Sequence, residues 1–233
     1  MPAVPGRRES GGRYGLLLLV LIGTYLFSAF SGAHLTTEIQ IGLFALVLLL
    51  AMRSSPLPGR WPLVIIALTV TGSAAALAAT LTGTPAGEGA AELWKALILL
   101  LTTVVVVRRV LAKPTVTIQS LYGAISAYLI IGLMFAACYA AVQRLENGTD
   151  FFADSQPANT QTLQYFSFTT LTTLGYGDFT AARNGGRSIA VLEAMTGQVF
   201  LATLVARLVS AYQRPTPRIQ PEDGDGPDDE DRG

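Results

Sequence analysis

Two glycines with a single residue between them lie in a segment rich in threonine. The segment runs from Thr170 to Asp178 and reads Thr-Leu-Thr-Thr-Leu-Gly-Tyr-Gly-Asp. Glycine adopts backbone angles that a β-carbon resists, so Gly175 and Gly177 would let main-chain carbonyls act as ligands beside threonine hydroxyls. An ordinary tight turn is the alternative for these two glycines. Enzyme chemistry is disfavoured, because one His and one Cys in 233 residues provide few nucleophiles, bases or metal ligands.

The composition is that of a membrane protein. Hydrophobic residues make up 51% of the chain and charged residues 14%, with a mean hydropathy of +0.45, whereas a soluble domain carries about 25% charged residues. The formal net charge is zero, so nothing suggests a nucleic-acid partner. The single cysteine, Cys138, excludes an intramolecular disulfide. We therefore expect a multi-span protein whose surroundings are the lipid bilayer.

Six apolar stretches approach the roughly 20 residues that a membrane-crossing helix needs. The second is the weakest, because its uninterrupted apolar part, Ile41–Met52, covers only about 18 Å as a helix. The first has a signal peptide as its alternative, since it combines a basic start with an apolar run and small residues. The six predicted spans are Gly15–Phe30, Leu35–Met52, Pro62–Leu81, Leu93–Val110, Leu121–Val142 and Ile189–Tyr212.

Basic residues set the predicted orientation. They cluster before the first span and after the second, fourth and sixth spans, whereas Ser31–Thr37 and Thr82–Ala91 contain none. The long fifth connection breaks this contrast with Arg144, Arg183 and Arg187. We expect a multi-pass protein of the cell membrane with both termini in the cytoplasm.

The connection between spans five and six contains a further apolar stretch. The connection is Gln143–Ser188, and the apolar stretch within it is Thr160–Thr172, which is too short to cross a bilayer. A helix that enters the membrane and returns is tolerated only where protein or water surrounds the broken backbone. The pattern therefore predicts a re-entrant helix, followed by an irregular strand that carries the two glycines.

This arrangement resembles the pore of the potassium-channel family. The run Thr-x-x-Thr-x-Gly-Tyr-Gly-Asp that begins at Thr170 is similar to the family's selectivity filter, whose usual core is Thr-Val-Gly-Tyr-Gly. Here Leu174 replaces the valine. The threonines before the glycines, the acid after them and the flanking spans argue against a tight turn. The resemblance covers Leu121–Tyr212 in the order outer helix, pore helix, filter and inner helix.

The resemblance implies an all-α membrane protein with six transmembrane helices. A re-entrant pore helix and a filter loop lie between spans five and six, and four copies of the chain form one pore. The implied divisions are a cytoplasmic N-terminus (1–13), a four-helix membrane scaffold (14–113), a pore domain (114–213) and a disordered acidic cytoplasmic tail (214–233).

By the same resemblance, potassium ions bind in the filter. A potassium ion entering a filter exchanges its water shell for backbone carbonyls. The implied ligands are the carbonyls of Thr173, Leu174, Gly175 and Tyr176 and the hydroxyl of Thr173, and Gly177 completes the filter. No cofactor is implied beyond the permeant potassium ions.

Five further residues are implied to support the filter. The resemblance implies that Asp178 hydrogen-bonds behind the filter, with a solvated loop carboxylate as the alternative. Thr169 stands where certain channels place an acid as the partner of that aspartate. Tyr165 and Phe166 stand where other channels have tryptophans, and Phe166 cannot donate a hydrogen bond. Thr170 begins the threonine-rich run.

Four residues of the helices around this segment carry separate expectations. Gly197 in span six is a candidate gating hinge, with close helix packing as the alternative. Glu193 is expected to hydrogen-bond behind the pore helix. Arg207 is expected to snorkel to the inner interface, or else to ring the inner mouth of the pore. In span four, Lys95 is expected to snorkel to the outer interface, one turn from Glu92.

The first four spans are not expected to form a voltage sensor. A sensor needs several basic residues inside its fourth span, but Ala96–Val107 has no charge, and Arg108 and Arg109 follow at its cytoplasmic end. The acidic run from Glu222 to Asp231 is expected to be a solvated tail. We expect no room for a cytoplasmic ligand-binding domain, so any ligand control needs the membrane, the ion itself or a separate regulatory subunit, which is unknown.

The predicted function is passive conduction of potassium ions through a homotetrameric pore, without steep voltage gating. A weakly selective cation channel is the first alternative, because the support around the filter departs from the family pattern. A transporter or a membrane-embedded enzyme is less favoured. A transporter usually shows internal repeats or charged residues in the middle of its spans, and neither is visible.

Overall fold

Seven α-helices make up most of the chain that the structure describes. The computed structural model describes residues 13–30, 36–53, 61–112, 117–146 and 150–212. Residues 1–12 and 214–233, which carry the predicted cytoplasmic N-terminus and acidic tail, lie outside this description. The helices are α1 (Arg13–Phe30), α2 (Thr36–Arg53), α3 (Trp61–Leu81), α4 (Pro85–Ala112), α5 (Ile118–Leu145), α6 (Thr160–Leu171) and α7 (Asn184–Tyr212), with one 3-10 turn at Ala153–Ser155.

Every predicted span overlaps one of these helices, and the short apolar stretch forms α6. Among the described residues, three helices are long and apolar enough to cross a membrane: α4, α5 and Asn184–Ser210 of α7. The first three helices carry shorter apolar stretches. The all-helical membrane class is therefore confirmed, and the number of six crossings stays a prediction.

Side-chain caps define where α5 and α6 begin. Thr117 precedes α5 and exchanges hydrogen bonds with Ser120, and Asn159 precedes α6 and exchanges them with Thr162. Each pair satisfies backbone N–H groups that have no partner inside the helix. Since α6 has 12 residues, it is about 18 Å long and cannot span the roughly 30 Å of a hydrocarbon core.

The helices differ in how much of their apolar surface the chain itself covers. Of the 18 residues in the most apolar stretch of each helix, 56% are buried in α5 but only 11% in α7. The short helix α6 lies against α5 and α7. The main core lies between α1, α2, α4 and α5, where the fully buried residues include Leu17, Leu21, Val47, Leu48, Leu99 and Ile130.

A buried ion pair within α4 is connected by hydrogen bonds to α2 and α1. The ammonium group of Lys95 lies 2.6 Å from the carboxylate of Glu92 and donates to Oε1 of Gln40 at 3.3 Å. Gln40 in turn donates to Ser28 at 2.9 Å. Because Lys95 is only 3% exposed, the expectation that it snorkels to an interface is wrong. Its partners compensate for the removal of the charge from water.

Replacing Lys95 by methionine is expected to lower the free energy of unfolding by about 3–5 kcal/mol, because Glu92 is left as an uncompensated buried charge. The double variant Lys95→Met/Glu92→Gln should recover part of this loss. Chemical denaturation of the purified protein in detergent measures both. The matched control is Arg144→Met, which removes the ion pair to Glu88. That pair is exposed, so its loss is expected to cost at most about 1 kcal/mol. Equal losses for Lys95→Met and Arg144→Met would contradict the prediction.

Candidate functional site

The segment from Thr173 to Gly177, named here the filter segment, follows the C-terminal end of α6. The N–H groups of Leu174 and Gly175 donate to the carbonyl oxygen of Thr169 at 2.8 and 3.2 Å, and that of Thr173 donates to Thr170 at 2.9 Å. The last turn of α6 thus provides acceptors for the start of the filter segment. A helix C-terminus also carries about half a negative charge, which favours a cation nearby.

Every second residue of the filter segment has a positive φ angle. The values are 56° for Thr173, 51° for Gly175 and 81° for Gly177, and Leu174 and Tyr176 do not share this feature. The left-handed region is ordinary for glycine but strained for a β-branched residue. Thr173 is held there by its hydrogen bond to Thr170. The segment is therefore neither a regular strand nor a regular turn.

Tyr165 of α6 contacts Tyr176 near the end of the filter segment and Asp178, the residue that follows the segment. Its ring is stacked nearly parallel to that of Tyr176, with centroids 6.5 Å apart. Its hydroxyl donates to Oδ2 of Asp178 at 2.8 Å. This hydrogen bond is the largest cause that raises the pKa of Tyr165 to about 12, because donation to a carboxylate favours the neutral phenol. Tyr165 therefore remains a donor at neutral pH.

An aromatic cluster packs α6 against α5 and against the segments that precede α6 and follow the filter segment. Phe166 is buried among Tyr139, Phe151 and Phe152, with ring centroids between 5.1 and 6.0 Å away. Phe179, which follows Asp178, packs edge-to-face on Phe152 and on Tyr165. Phe166 therefore supports the site by packing, whereas Tyr165 supports it by packing and by a hydrogen bond.

The segments before α6 and after the filter segment are also paired through their backbones. Phe152 and Ala181 form an antiparallel bridge. The N–H of Ala153 donates to Thr180 at 2.9 Å, and that of Ala182 donates to Phe151 at 2.8 Å. This pairing fixes where the chain leaves the filter segment.

Thr169, which stands where certain channels carry an acid, does not reach Asp178. Its hydroxyl donates to the carbonyl of Phe166 within α6 at 3.0 Å. The partner of Asp178 is Tyr165 instead. Thr169 and Thr170 contribute through their carbonyl oxygens, which accept from the filter segment.

Helix α7 meets the beginning of the filter segment and the end of α6 at Gly197 and Gln198. A β-carbon at Gly197 would collide with the carbonyl oxygen of Leu171, the last residue of α6. The hydroxyl of Tyr128 donates to the same oxygen at 3.2 Å. The side chain of Gln198 donates to the hydroxyl of Thr173 at 3.3 Å. Gly197 thus allows α7 to approach α6 closely, and its role as a hinge stays a prediction.

Glu193 and Arg207 lie in different surroundings along α7. Glu193 is fully buried, and its carboxyl group is 2.5 Å from the hydroxyls of Tyr139 and Ser167. It thus contacts α5 and α6 together. Arg207 is partly buried and lines an apolar cavity of about 560 Å³ between α4, α5 and α7.

Four residues of this site had no role in the sequence-based reasoning: Ser167, Tyr139, Tyr128 and Gln198. Tyr139 and Ser167 are buried, Tyr128 is half-buried and Gln198 is exposed. For the buried pair, a polar side chain on a packed helix face is a signal that could have singled them out, because buried polar groups need hydrogen-bond partners. The partners of all four lie 25 to 54 residues away along the chain, so sequence alone does not identify them.

Residues 124–214 match the profile of a protein family described as Ion channel. The match begins in α5 and includes α6, the filter segment and α7, so it supports an ion-channel pore of the potassium-channel type. No curated protein matches the chain. The family match indicates an ion channel, and with the long apolar helices it supports a protein of the membrane. Ion channels of this family generally form oligomeric pores.

Proposed function

We propose that this chain is one subunit of a potassium-selective channel that conducts passively. The alternation of positive and other φ angles from Thr173 to Gly177 is the observation that carries the proposal. A backbone that alternates in handedness turns successive peptide groups toward one side, unlike a strand, in which they alternate. Carbonyl oxygens aligned in this way replace the water shell of a potassium ion. The ligands are those of the resemblance: the carbonyls of Thr173–Tyr176 and the hydroxyl of Thr173.

The proposed assembly is a tetramer with cyclic symmetry, because one chain provides only one wall of a pore. Support comes from α7, whose apolar side chains are largely uncovered by the chain itself. A neighbouring copy or lipid must cover them. Leu174 and Tyr176 of the filter segment are likewise 55% and 67% exposed. The uncovered residues of α7 include Val191, Leu192, Met195, Val199, Val205 and Val209.

The proposed arrangement in the cell membrane keeps the predicted divisions. Residues 14–113 form a scaffold of four helices, and residues 114–213 form the pore domain. Both termini lie in the cytoplasm, as the distribution of basic residues favours. Permeant potassium ions are the only ligands proposed.

Ion flux through the purified protein in liposomes tests the proposal. We expect a potassium gradient to drive flux and an equal sodium gradient to drive almost none, compared with liposomes of the same lipid that lack protein. Chemical cross-linking of the same sample should give a largest product of four chains. Absence of cation flux from correctly inserted, cross-linkable protein would contradict the proposal.

A weakly selective cation channel is the second candidate. It is favoured by Phe166, which packs in the aromatic cluster but has no group that can donate a hydrogen bond. Because Phe166 cannot donate, the hydrogen bond from Tyr165 to Asp178 is the one that an aromatic residue of this pair gives to support the filter segment. Reversal potentials with potassium on one side and sodium on the other distinguish the two candidates. A reversal potential near zero would favour weak selectivity.

Neutralising Arg108 and Arg109 together is expected to leave the steepness of any conductance–voltage curve unchanged. Both residues lie in the last two turns of α4, and the guanidinium of Arg109 is 5.5 Å from the ring centre of Tyr14. Such a cation–π contact is worth about 0.5–1 kcal/mol, so a small loss of stability is expected. The control is Tyr14→Leu, which removes the contact and keeps both charges. A shallower curve in the Arg108→Gln/Arg109→Gln variant alone would show that α4 carries gating charge.

A further inference from the structure

A fully buried chain of four oxygen-bearing groups joins α5, α6 and α7. The hydroxyl of Tyr139 donates to Oε2 of Glu193 at 2.5 Å. The other carboxyl oxygen, Oε1, is 2.5 Å from the hydroxyl of Ser167. That hydroxyl is also 2.7 Å from the carbonyl oxygen of Gly132. Tyr139, Ser167 and Glu193 are each 0% exposed.

If Glu193 is ionised, these four groups have too few protons to make all three short contacts hydrogen bonds. A serine hydroxyl has one proton, and a carbonyl oxygen only accepts. Ser167 therefore donates either to Gly132 or to Glu193, and the other short contact is left without a proton. A protonated Glu193 removes the conflict, because its own proton goes to Ser167 and the proton of Ser167 goes to Gly132. Tyr139 still donates to the remaining carboxyl oxygen.

The surroundings of Glu193 also favour the neutral form. The titratable groups of α5 near it are the phenols of Tyr128 and Tyr139 and the thiol of Cys138, and none of these groups can carry a positive charge. From α6 it meets Ser167, which does not titrate. Among the described residues, the partners of the Glu193 carboxyl group are the hydroxyls of Tyr139 and Ser167, and it forms no ion pair there. A buried carboxylate without a cation is unfavourable, most of all inside a membrane.

We propose that Glu193 is a neutral carboxylic acid that positions the pore helix, and through it the filter segment, by donating one hydrogen bond and accepting another. The inference rests on the proposed function for its effect on selectivity. Ser167 is two residues before Thr169, whose carbonyl accepts from the filter segment. Gly197, one turn beyond Glu193 on the same face of α7, touches the end of α6. The two contacts together set the position of α6 on α7.

Infrared spectroscopy of the full chain in lipid tests the protonation directly. At neutral pH the wild-type protein should show the carbonyl stretch of a protonated carboxyl group, and Glu193→Gln should lack it. Glu88→Gln is the control, because Glu88 belongs to the exposed ion pair with Arg144 and its substitution should leave the band in place. A wild-type spectrum without any band that depends on Glu193 would overturn the proposal. This result does not depend on whether the protein conducts potassium.

The positioning role is tested by the potassium-to-sodium permeability ratio. Glu193→Gln preserves one donor and one acceptor, so it should retain the selectivity that Glu193→Leu loses. Glu193→Leu removes two hydrogen bonds per subunit. Each hydrogen bond changes the equilibrium constant for the correct position of α6 by roughly a factor of five, so we expect the permeability ratio to fall by at least about tenfold. Ser167→Ala is the second variant, to be measured if Glu193→Leu does not assemble. It removes a single partner of Glu193, so its loss of selectivity should be smaller.

The pH profile separates a neutral acid from a merely structural side chain. In the wild-type protein, alkaline pH that ionises Glu193 should reduce selectivity, and Glu193→Gln should remove this part of the profile. Equal defects in Glu193→Gln and Glu193→Leu would show that the charge is required and would overturn the proposal. Wild-type selectivity in both Glu193→Leu and Ser167→Ala would overturn the positioning role. If the wild-type protein conducts without any potassium preference, the proposed function fails, while the infrared result still decides the protonation.

Discussion

Alanine at Gly175 or Gly177 is expected to abolish the preference for potassium over sodium while the subunits still assemble. Both glycines have φ angles in the left-handed region, 51° and 81°. A β-carbon at either position would meet no atom of the chain within 4 Å, so the penalty is conformational and not a collision. A left-handed conformation costs an L-residue roughly 1–2 kcal/mol. Four copies in one ring multiply this cost up to fourfold, so the filter segment is expected to relax and to turn its carbonyls away.

Bi-ionic reversal potentials of the two variants, recorded beside cross-linking yields, measure this effect. The chain offers a matched control in Gly83, which lies between α3 and α4, has a φ of 63° and has open space around its β-carbon position. Gly83→Ala should have a similar conformational cost and leave selectivity unchanged. Unchanged sodium exclusion in both filter variants would refute the proposed role of this segment.

The elements of the pore half were predictable because their signals are local. The apolar stretch that became α6 is bounded by the Asn159 cap and by the glycine-bearing segment, and both signals lie within a few residues of the helix. The positive φ angles at Gly175 and Gly177 are of the kind that glycine permits without strain. The positive φ angle at Thr173 is different, since a β-branched residue adopts it only when its surroundings enforce it.

Contacts between distant helices were not predictable from one sequence. The interpretation of Lys95 was wrong because its partner Gln40 lies 55 residues away, and the apolar sequence of α4 does not show which face meets α2. Glu193 was expected to bond behind α6, but its partners Ser167 and Tyr139 could not be named. Periodicity indicates that a face is buried. It does not indicate which polar groups of other helices are buried against it.

Replacing Gly197 by alanine is expected to reduce both the assembled fraction and the potassium preference. A β-carbon there collides with the carbonyl oxygen of Leu171, which also accepts from Tyr128. Since a backbone oxygen cannot swing aside as a side chain can, α7 and the end of α6 must separate. Inserting a methyl group into a packed contact costs typically about 1–3 kcal/mol, and four subunits share the same contact. The displaced end of α6 carries the acceptors of the filter segment, so selectivity should fall with assembly.

A hinge at Gly197 leads to a different outcome, because a stiffer α7 would change opening but leave the filter above it intact. Single-channel recording, bi-ionic potentials and cross-linking of Gly197→Ala separate the two. Gly42→Ala in α2 is the control for a helix that gains rigidity without a collision, since nothing lies within 4 Å of its β-carbon position. It should raise stability by up to about 1 kcal/mol and leave conduction unchanged. An altered open probability in Gly197→Ala, with normal assembly and a normal potassium-to-sodium ratio, would establish the hinge and reject the packing role.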